Sequence, residues 1–306
     1  MAKRNVVDDA HNLILRWIRV TPIMRMQGPG ARPVVLKFES FQRSGSFKIR
    51  GALNKVMGLG DVARAGVVTA SGGNHGLGVA WAGWLAGIPA HVFIPATTPS
   101  FKVRMLERAN AQVTRAGASY AEAEMAALAF AETNQLAYIH AYDDNDVIAG
   151  QGTVVRELLS QAPEIGTIVV AVGGGGLAAG AGLAAEGRRV VGVEPFGAAT
   201  MHAAFTAGRP VKLSAVDSIA SDSLGAWKAG QRTFELCKQS VDRIELVHDD
   251  SLITAQNWLW EQARIVCELG AAAGLAALAN GSLDDDPAPI GIIICGGNVD
   301  PKKFVR

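Results

Sequence analysis

Cysteine is scarce in this chain. The three present, Cys237, Cys267 and Cys295, are an odd number without Cys-x-x-Cys spacing, so neither a disulfide framework nor a zinc site is suggested, and a reducing cytoplasm fits. Net charge is nearly absent too: a formal +1 over 306 residues leaves no electrostatic footprint for nucleic acid or an anionic membrane. A small-molecule partner is the expectation. The one long uncharged run, residues 165–185, is interrupted by the four glycines Gly173 to Gly176, which favours strand, loop and helix over a membrane span. Asp8 and Asp9 break any apolar core near the start, so a secretory signal is not expected. Repeats, low-complexity tracts and long linkers are also missing.

What is present is apolar and rich in glycine. A hydrophobic share of 49% with 19% charge is far from disorder, and 35 glycines require many tight turns or close backbone approaches. An amphipathic helix is expected over 6–19, stopped by Thr21-Pro22, with a strand at 34–38 and a helix from Lys48 to Gly58. Strands at 66–70, 90–94, 112–115 and 136–139 then alternate with helices at 74–86, 99–110 and 119–134. A second alternation follows: helix 146–160, strand 167–172, helix 177–186, strand 189–193 and helix 197–207. Residues 208–243 read as irregular. Strand 244–247, helices 250–267 and 270–280, a loop at 284–289 and strand 290–294 close the chain.

Such alternation implies parallel sheet covered by helices. The expectation is an α/β protein of two parallel-sheet lobes: a large domain from 1–58 and 144–306, and a small one from 59–143. Ligands of open α/β sheets sit at the carboxyl ends of the strands, and the loops after residues 70, 172 and 294 are all glycine-rich.

The first chemical candidate is Lys48 in Ser44-Gly45-Ser46-Phe47-Lys48-Ile49-Arg50. An amine attacks aldehydes only when unprotonated, and burial between Phe47 and Ile49 would push a lysine that way. A surface lysine at a helix start is the plain alternative. Ser71-Gly72-Gly73-Asn74-His75-Gly76 follows a strand and opens a helix, an arrangement suited to a carboxylate; the plain alternative is a turn with a helix cap. Gly173, Gly174, Gly175, Gly176 and Leu177 likewise join strand to helix and suit a phosphate. There Gly173, Gly175 and Ala178 also satisfy Gly-x-Gly-x-x-Gly/Ala, and Glu194 lies about 20 residues on, as the ribose-binding acid of a dinucleotide site would. A nicotinamide-dependent dehydrogenase therefore competes. Cys295-Gly296-Gly297-Asn298 supplies a third polar loop. Glu194 with Ala198 and Thr200 offers one carboxylate, which is little for a hard divalent cation.

Taken together, residues 44–54, 70–76, 143–153, 172–177 and 295–300 resemble the fold type II pyridoxal-phosphate enzymes, in the serine/threonine dehydratase and serine racemase branch, from about residue 10 to the end. The resemblance implies that Lys48 holds pyridoxal 5'-phosphate through a Schiff base and takes the substrate Cα proton. Phe47 would pack behind the ring, Asn74 would meet its 3-oxygen, and Gly173 to Gly176 with Leu177 would hold the phosphate. Cys295 would lie beside the pyridine nitrogen. Ser71, Gly72, Asn74 and His75 would receive the substrate carboxylate, with Ser223, in the segment 218–227, facing the substrate side chain.

The implied reaction is α,β-elimination of a β-hydroxy amino acid such as L-threonine or L-serine to a 2-oxo acid and ammonia. Racemisation, β-replacement and a cofactor carrier without turnover are the alternatives. Gly72 stands where racemases of the branch carry an acid/base serine, so racemisation should be poor. The metal pattern is acid, backbone carbonyl and second acid; Glu194 and Ala198 match it, but Thr200 replaces the last acid. Tyr142 stands where relatives have Phe or Asn. The length leads us to expect no C-terminal regulatory domain, and a homodimer is implied.

Overall fold

The protein is described by a computed structural model over residues 5–300, so part of the stretch read for a signal sequence, residues 1–4, lies outside the described residues. Helix α1 (Val6–Ile14) is capped by the Asn5 side chain, which accepts from the Val7 amide. It stops short of residue 19 because its last bonds tighten: Trp17 N reaches Ile14 O at 2.8 Å, an i to i−3 step that closes the helix. A strand not expected from the sequence follows, β1 (Ile23–Gln27), pairing antiparallel with β2 (Pro33–Phe38). β1 is a half-buried edge, and its Ile-Met-Arg-Met-Gln sequence carries no clear alternation.

The chain then runs through α2 (Lys48–Gly58), β3 (Val67–Ala70), α3 (Asn74–Ala86), β4 (Ala90–Ile94), α4 (Ser100–Arg108), β5 (Gln112–Arg115), α5 (Tyr120–Thr133) and β6 (Ala137–Tyr138). It continues with α6 (Asn145–Gln161), β7 (Thr167–Ala171), α7 (Gly176–Ala184), β8 (Arg189–Pro195), α8 (Thr200–Ala207) and α9 (Ser221–Leu224). The last elements are α10 (Gln231–Ser240), β9 (Arg243–Val247), α11 (Asp249–Ala263), α12 (Ala273–Ala279) and β10 (Ile290–Ile294). β3 to β6 form a four-stranded parallel sheet in the order β5-β4-β3-β6. The other six strands form a sheet ordered β1-β2-β10-β7-β8-β9, parallel except for β1. β7 and β10 are buried at every position, as strands covered by helices on both faces must be.

Residues 208–243 are not wholly irregular. α10 buries Thr233, Phe234 and Cys237 on one face, but seven of its ten residues, Gln-Arg-Thr-Glu-Lys-Gln-Ser, are polar, so the apolar stripe is too thin to stand out in sequence. The expected helix 250–267 ends at Ala263, where Arg264 turns left-handed with φ 56°. Its continuation, expected from residue 270, begins instead as a short 3-10 turn at Leu269–Ala272 before α12.

α2 joins the two sheets. Ile49, Leu53 and Val56 pack with Val67, Val79 and Ile139 around the smaller sheet, while α2 lies so close to α6 that a Cβ on Gly150 would stand 2.6 Å from Gly51 Cα. On its other side Arg50, wholly buried, donates to Glu39 (2.8 and 2.7 Å) and to Glu157 of α6 (3.2 Å). Lys37 of β2, also wholly buried, reaches the same Glu157 at 2.5 Å and the Thr21 carbonyl at 2.7 Å. Burial alone would lower the Arg50 pKa, but Glu39 and Glu157 carry it upward, so the guanidinium stays charged.

Removing one member of such a cluster strands the others in a dry interior, which costs about 3–5 kcal/mol. Arg50→Met should lower the free energy of unfolding by that amount in urea titration, whereas a loss below about 1 kcal/mol, the surface-pair range, would show the cluster to be solvated.

Candidate active site

Three loops meet at the carboxyl ends of parallel strands, after β3, β7 and β10, and the lysine loop is stitched to one of them. Phe47 N donates to Cys295 O at 3.1 Å, and Ser46 pairs with Gly296 as an antiparallel bridge. These contacts place Lys48, the first residue of α2, in a cleft of about 480 Å3. Phe47, Asn74, Tyr142, Gly173 to Gly176, Leu177, Ser223, Glu268 and Cys295 also line it.

Lys48 is half-buried. Its amine donates to Ala141 O at 2.9 Å and lies 5.1 Å from the Phe47 ring centre. Burial pulls its pKa down from 10.5 to about 8. Against a lysine of ordinary pKa, the unprotonated fraction near neutrality rises roughly 300-fold. Cys295 itself is driven the other way: burial raises its pKa, so the thiol is neutral.

The glycine loop turns at Gly175, whose φ of 98° favours glycine, and it delivers the N-terminus of α7 into the cleft. Its carbonyls are held from behind by α10. Thr233 Oγ1 donates to Gly174 O at 2.8 Å, and the α10 N-terminus is itself fixed by Asp143, which accepts from the Arg232 amide at 2.8 Å. The helix missed in the sequence is therefore the brace of this loop. Tyr142 packs on the same loop: a Cβ on Gly174 would touch its ring at 2.4 Å, and its hydroxyl donates to Lys228 O at 3.1 Å.

The Ser71–His75 segment divides. Asn74 lines the cleft, and Gly72, Gly73 and Asn74 line an adjoining space of about 340 Å3 with Leu77, Lys102, Met105, Leu106 and Asp222. Ser71 Oγ turns inward and accepts from Gly73 N at 3.2 Å. The His75 ring is buried against Ile139 O at 3.0 Å, and burial drops its pKa to about 3, so it is a neutral ring directed at the small sheet. Neither side chain is among those lining the two spaces. Ser223 lines the cleft, and Asp222 beside it forms an ion pair with Lys102 of α4, tying the 218–227 segment to the other lobe.

Glu194 does not reach the cleft. Its oxygens accept from Met201 N (2.8 Å) and His202 N (2.9 Å), capping α8, and burial raises its pKa to about 8. That position removes it as a ribose-binding acid. Nor do Glu194, Ala198 and Thr200 fit a hard cation: the carboxylate is spent on the helix, and Thr200 Oγ1 donates to Ala226 O at 2.6 Å. Among the described residues no group of three or more His, Cys, Asp or Glu is placed to hold a metal, and no helix is long and apolar enough to cross a membrane.

One cleft residue was not legible in advance. Glu268 is buried, with both oxygens on Asn74 Nδ2 (3.0 and 2.8 Å) and one on Asn298 N (2.8 Å). Its partners lie 194 and 30 residues away, and the only local signal is an acid set before a run of small apolar residues.

The donor set suits pyridoxal phosphate: a deprotonatable amine for the aldehyde, a helix N-terminus for the phosphate, and a neutral thiol. Residues 14–296 match the family described as pyridoxal-phosphate dependent enzyme. The chain is 39% identical over 278 residues to an L-threonine ammonia-lyase of Thermotoga maritima, covering 89% of this chain and 69% of that protein. To a phenylserine dehydratase of Ralstonia pickettii it is 36% identical, covering 95% and 91% of the two. Its fold is similar to that of maize serine racemase, with a TM-score of 0.92 at 34% identity over 98% of this chain and 94% of that one.

Two outcomes follow from this geometry. The rate at which the cofactor-free protein combines with pyridoxal phosphate, followed by absorbance, should rise with pH through a midpoint near 8; a rise only towards 10.5 would show Lys48 to be solvated. A Cβ on Gly72 would lie 2.8 Å from Thr98 Cγ2, so Gly72→Ser should cost about 1–3 kcal/mol in unfolding experiments. Thr98→Ser, which deletes that methyl, should restore most of the loss.

Proposed function

The chain belongs to the pyridoxal-phosphate dependent enzymes, and from that premise we propose that it is an ammonia-lyase acting on a β-hydroxy amino acid. L-Threonine or L-serine is the default substrate, converted to a 2-oxo acid and ammonia. The observation that carries the reading is Lys48: a half-buried lysine whose pKa desolvation brings down to about 8, sharing one cleft with a glycine loop at a helix N-terminus.

When bound, pyridoxal phosphate supplies an electron-withdrawing ring conjugated to the substrate nitrogen, which makes the Cα proton removable. Lys48 would hold the cofactor through its amine and, as a base, would take the substrate Cα proton at Nζ. Phe47 would pack behind the ring. Gly173 to Gly176 and Leu177 would hold the phosphate through backbone N–H groups, and Asn74 would offer an amide to the ring oxygen. Cys295, neutral, would lie beside the ring nitrogen without charging it. Backbone N–H groups of the Ser71–His75 segment, at the N-terminus of α3, receive the substrate carboxylate. The His75 ring is turned to Ile139 O, and the Ser71 N–H donates to Phe93 O while its hydroxyl accepts from Gly73 N, so neither the imidazole nor the Ser71 amide is offered to the carboxylate. Ser223 faces the β-substituent. The β-hydroxyl leaves as water, and hydrolysis of the dehydrated product returns one water and releases ammonia, so the substrate divides into 2-oxo acid and ammonia with no net gain of atoms.

Two features narrow the reading. Gly72 has no proton to give to the opposite face of Cα, which counts against racemisation despite the likeness to a racemase. The likeness to a phenylserine dehydratase makes phenylserine a second candidate substrate. The same reading takes the enzyme as cytoplasmic, supported by three free and buried cysteines, and as a homodimer.

Purified protein incubated with L-threonine, L-serine and phenylserine should form 2-oxo acid and ammonia from at least one of them, and borohydride should fix the cofactor on Lys48, found by peptide mass. Lys48→Ala should lose at least about 1,000-fold in turnover together with the visible chromophore. Retained turnover in that variant would remove Lys48 from its role.

A further inference from the structure

Resting on the reading above, we propose that Glu268 is a positioning residue: its carboxylate fixes the Asn74 amide so that an N–H, rather than the carbonyl, is presented to the ring oxygen of the cofactor. A side-chain amide can be turned over with almost no change in shape, exchanging donor for acceptor. Its environment alone decides which face it shows. Here two constraints act on the same group. On one side Asn74 Nδ2 meets both Glu268 oxygens, at 3.0 and 2.8 Å, and a carboxylate can only accept. On the other side Asn74 Oδ1 accepts from Asn298 Nδ2 at 2.7 Å.

Asn298 is not free to turn over either. Its Nδ2 also donates to Ser44 O at 2.8 Å, and a backbone carbonyl accepts only. A chain of orientation therefore runs from Ser44, beside the lysine loop, through Asn298 to Asn74, and Glu268 closes it from the opposite end. Glu268 is fixed in turn: its Oε1 accepts from Asn298 N at 2.8 Å, and its own backbone N–H donates to Gly296 O at 3.1 Å. Burial pushes the Glu268 pKa up, while Asn74 and the Asn298 amide pull it down; all three contacts donate into the carboxyl group, the arrangement an ionised acid takes.

The chemistry of the cofactor makes this orientation matter. The ring oxygen of pyridoxal phosphate is adjacent to the carbon that Lys48 holds, and it is an acceptor carrying negative charge. Asn74 lines the cleft with Lys48. Its nitrogen has two hydrogens, and a carboxylate that grips it with both oxygens at similar distance occupies one and leaves the second for the cleft. With the amide turned over, Asn74 would set a carbonyl against the ring oxygen, and Glu268 would face another acceptor.

The test is the dissociation constant for pyridoxal phosphate, by absorbance titration of cofactor-free protein, in wild type, Glu268→Gln, Asn74→Ala and the double variant. Glutamine keeps the shape but offers one acceptor and one donor, so it no longer dictates which way the amide points. Glu268→Gln should weaken binding about tenfold and shift the absorption maximum of the chromophore, while adding it to Asn74→Ala should change neither. Binding unchanged in Glu268→Gln, or weakened equally with Asn74 already removed, would overturn the inference. Should Glu268→Gln fail to fold, Asn298→Ala removes the donor on the other side of the same amide; weaker binding supports the proposal and unchanged binding overturns it. A wild-type protein that takes up no pyridoxal phosphate would sink the proposed function itself, and this inference with it.

Discussion

The buried ion cluster of Arg50, Glu39, Glu157 and Lys37 is the constraint on which the rest of the site depends. It draws one residue from α2, one from β2, one from the turn after β2 and one from α6 into a volume without solvent. Two cations against two carboxylates leave it neutral, and neutrality is what makes burial tolerable. Arg50 follows Lys48 by two residues, so the cluster sets the height and rotation of the first turn of α2, and with them the place of the amine. A hydrophobic substitute could supply as much stability, but an oily face would let α2 slide, whereas a forked guanidinium between two fixed carboxylates has one register.

The same segment keeps charge apart. Two residues along one helix, Arg50 is surrounded by carboxylates and stays charged, while Lys48 faces none and is driven towards its neutral form by burial. Both are desolvated; the difference is the company. A carboxylate placed beside Lys48, as Glu39 is beside Arg50, would restore its proton and remove its use as a nucleophile. The carboxylate at the cleft is accordingly engaged elsewhere: Glu268 is covered by Asn74 and Asn298.

How far the sequence spoke for the structure follows the range of each interaction. The parallel strands were legible because Thr-Ile-Val-Val-Ala and Ile-Gly-Ile-Ile-Ile are almost wholly apolar runs, each leading into a glycine loop, a local signal. The three glycine loops were legible for the same reason. β1 and α10 were not, since one is an edge with half-exposed residues and the other shows only three buried positions in ten. Their order comes from what they touch, β2 in the one case and the glycine loop in the other. Side-chain direction was the hardest to read. His75 and Asn74 are neighbours in one motif, yet their positions on α3 send the imidazole to Ile139 and the amide into the cleft. Glu268 escaped notice because nothing near it in the chain explains a buried acid.

The two faces of the reacting carbon are served unequally, and this bears on the reaction chosen. On the proposed assignment, Lys48 is the one group near Cα that can hold a proton and release it near neutrality. Gly72, assigned to the opposite face, carries no proton donor, and a larger residue there would have to move Thr98. On the same assignment, the neutral Cys295 thiol would leave the ring nitrogen without a full positive charge, which would limit how much negative charge the ring can draw from Cα. A carbanion that is poorly stabilised and cannot be reprotonated from the far side has two exits: the proton returns from Lys48, or a group on Cβ leaves with the electrons. The first regenerates the substrate. A β-hydroxyl therefore turns the restriction into a direction, and elimination becomes the productive outcome of a site that lacks both a second proton donor and a strong electron sink.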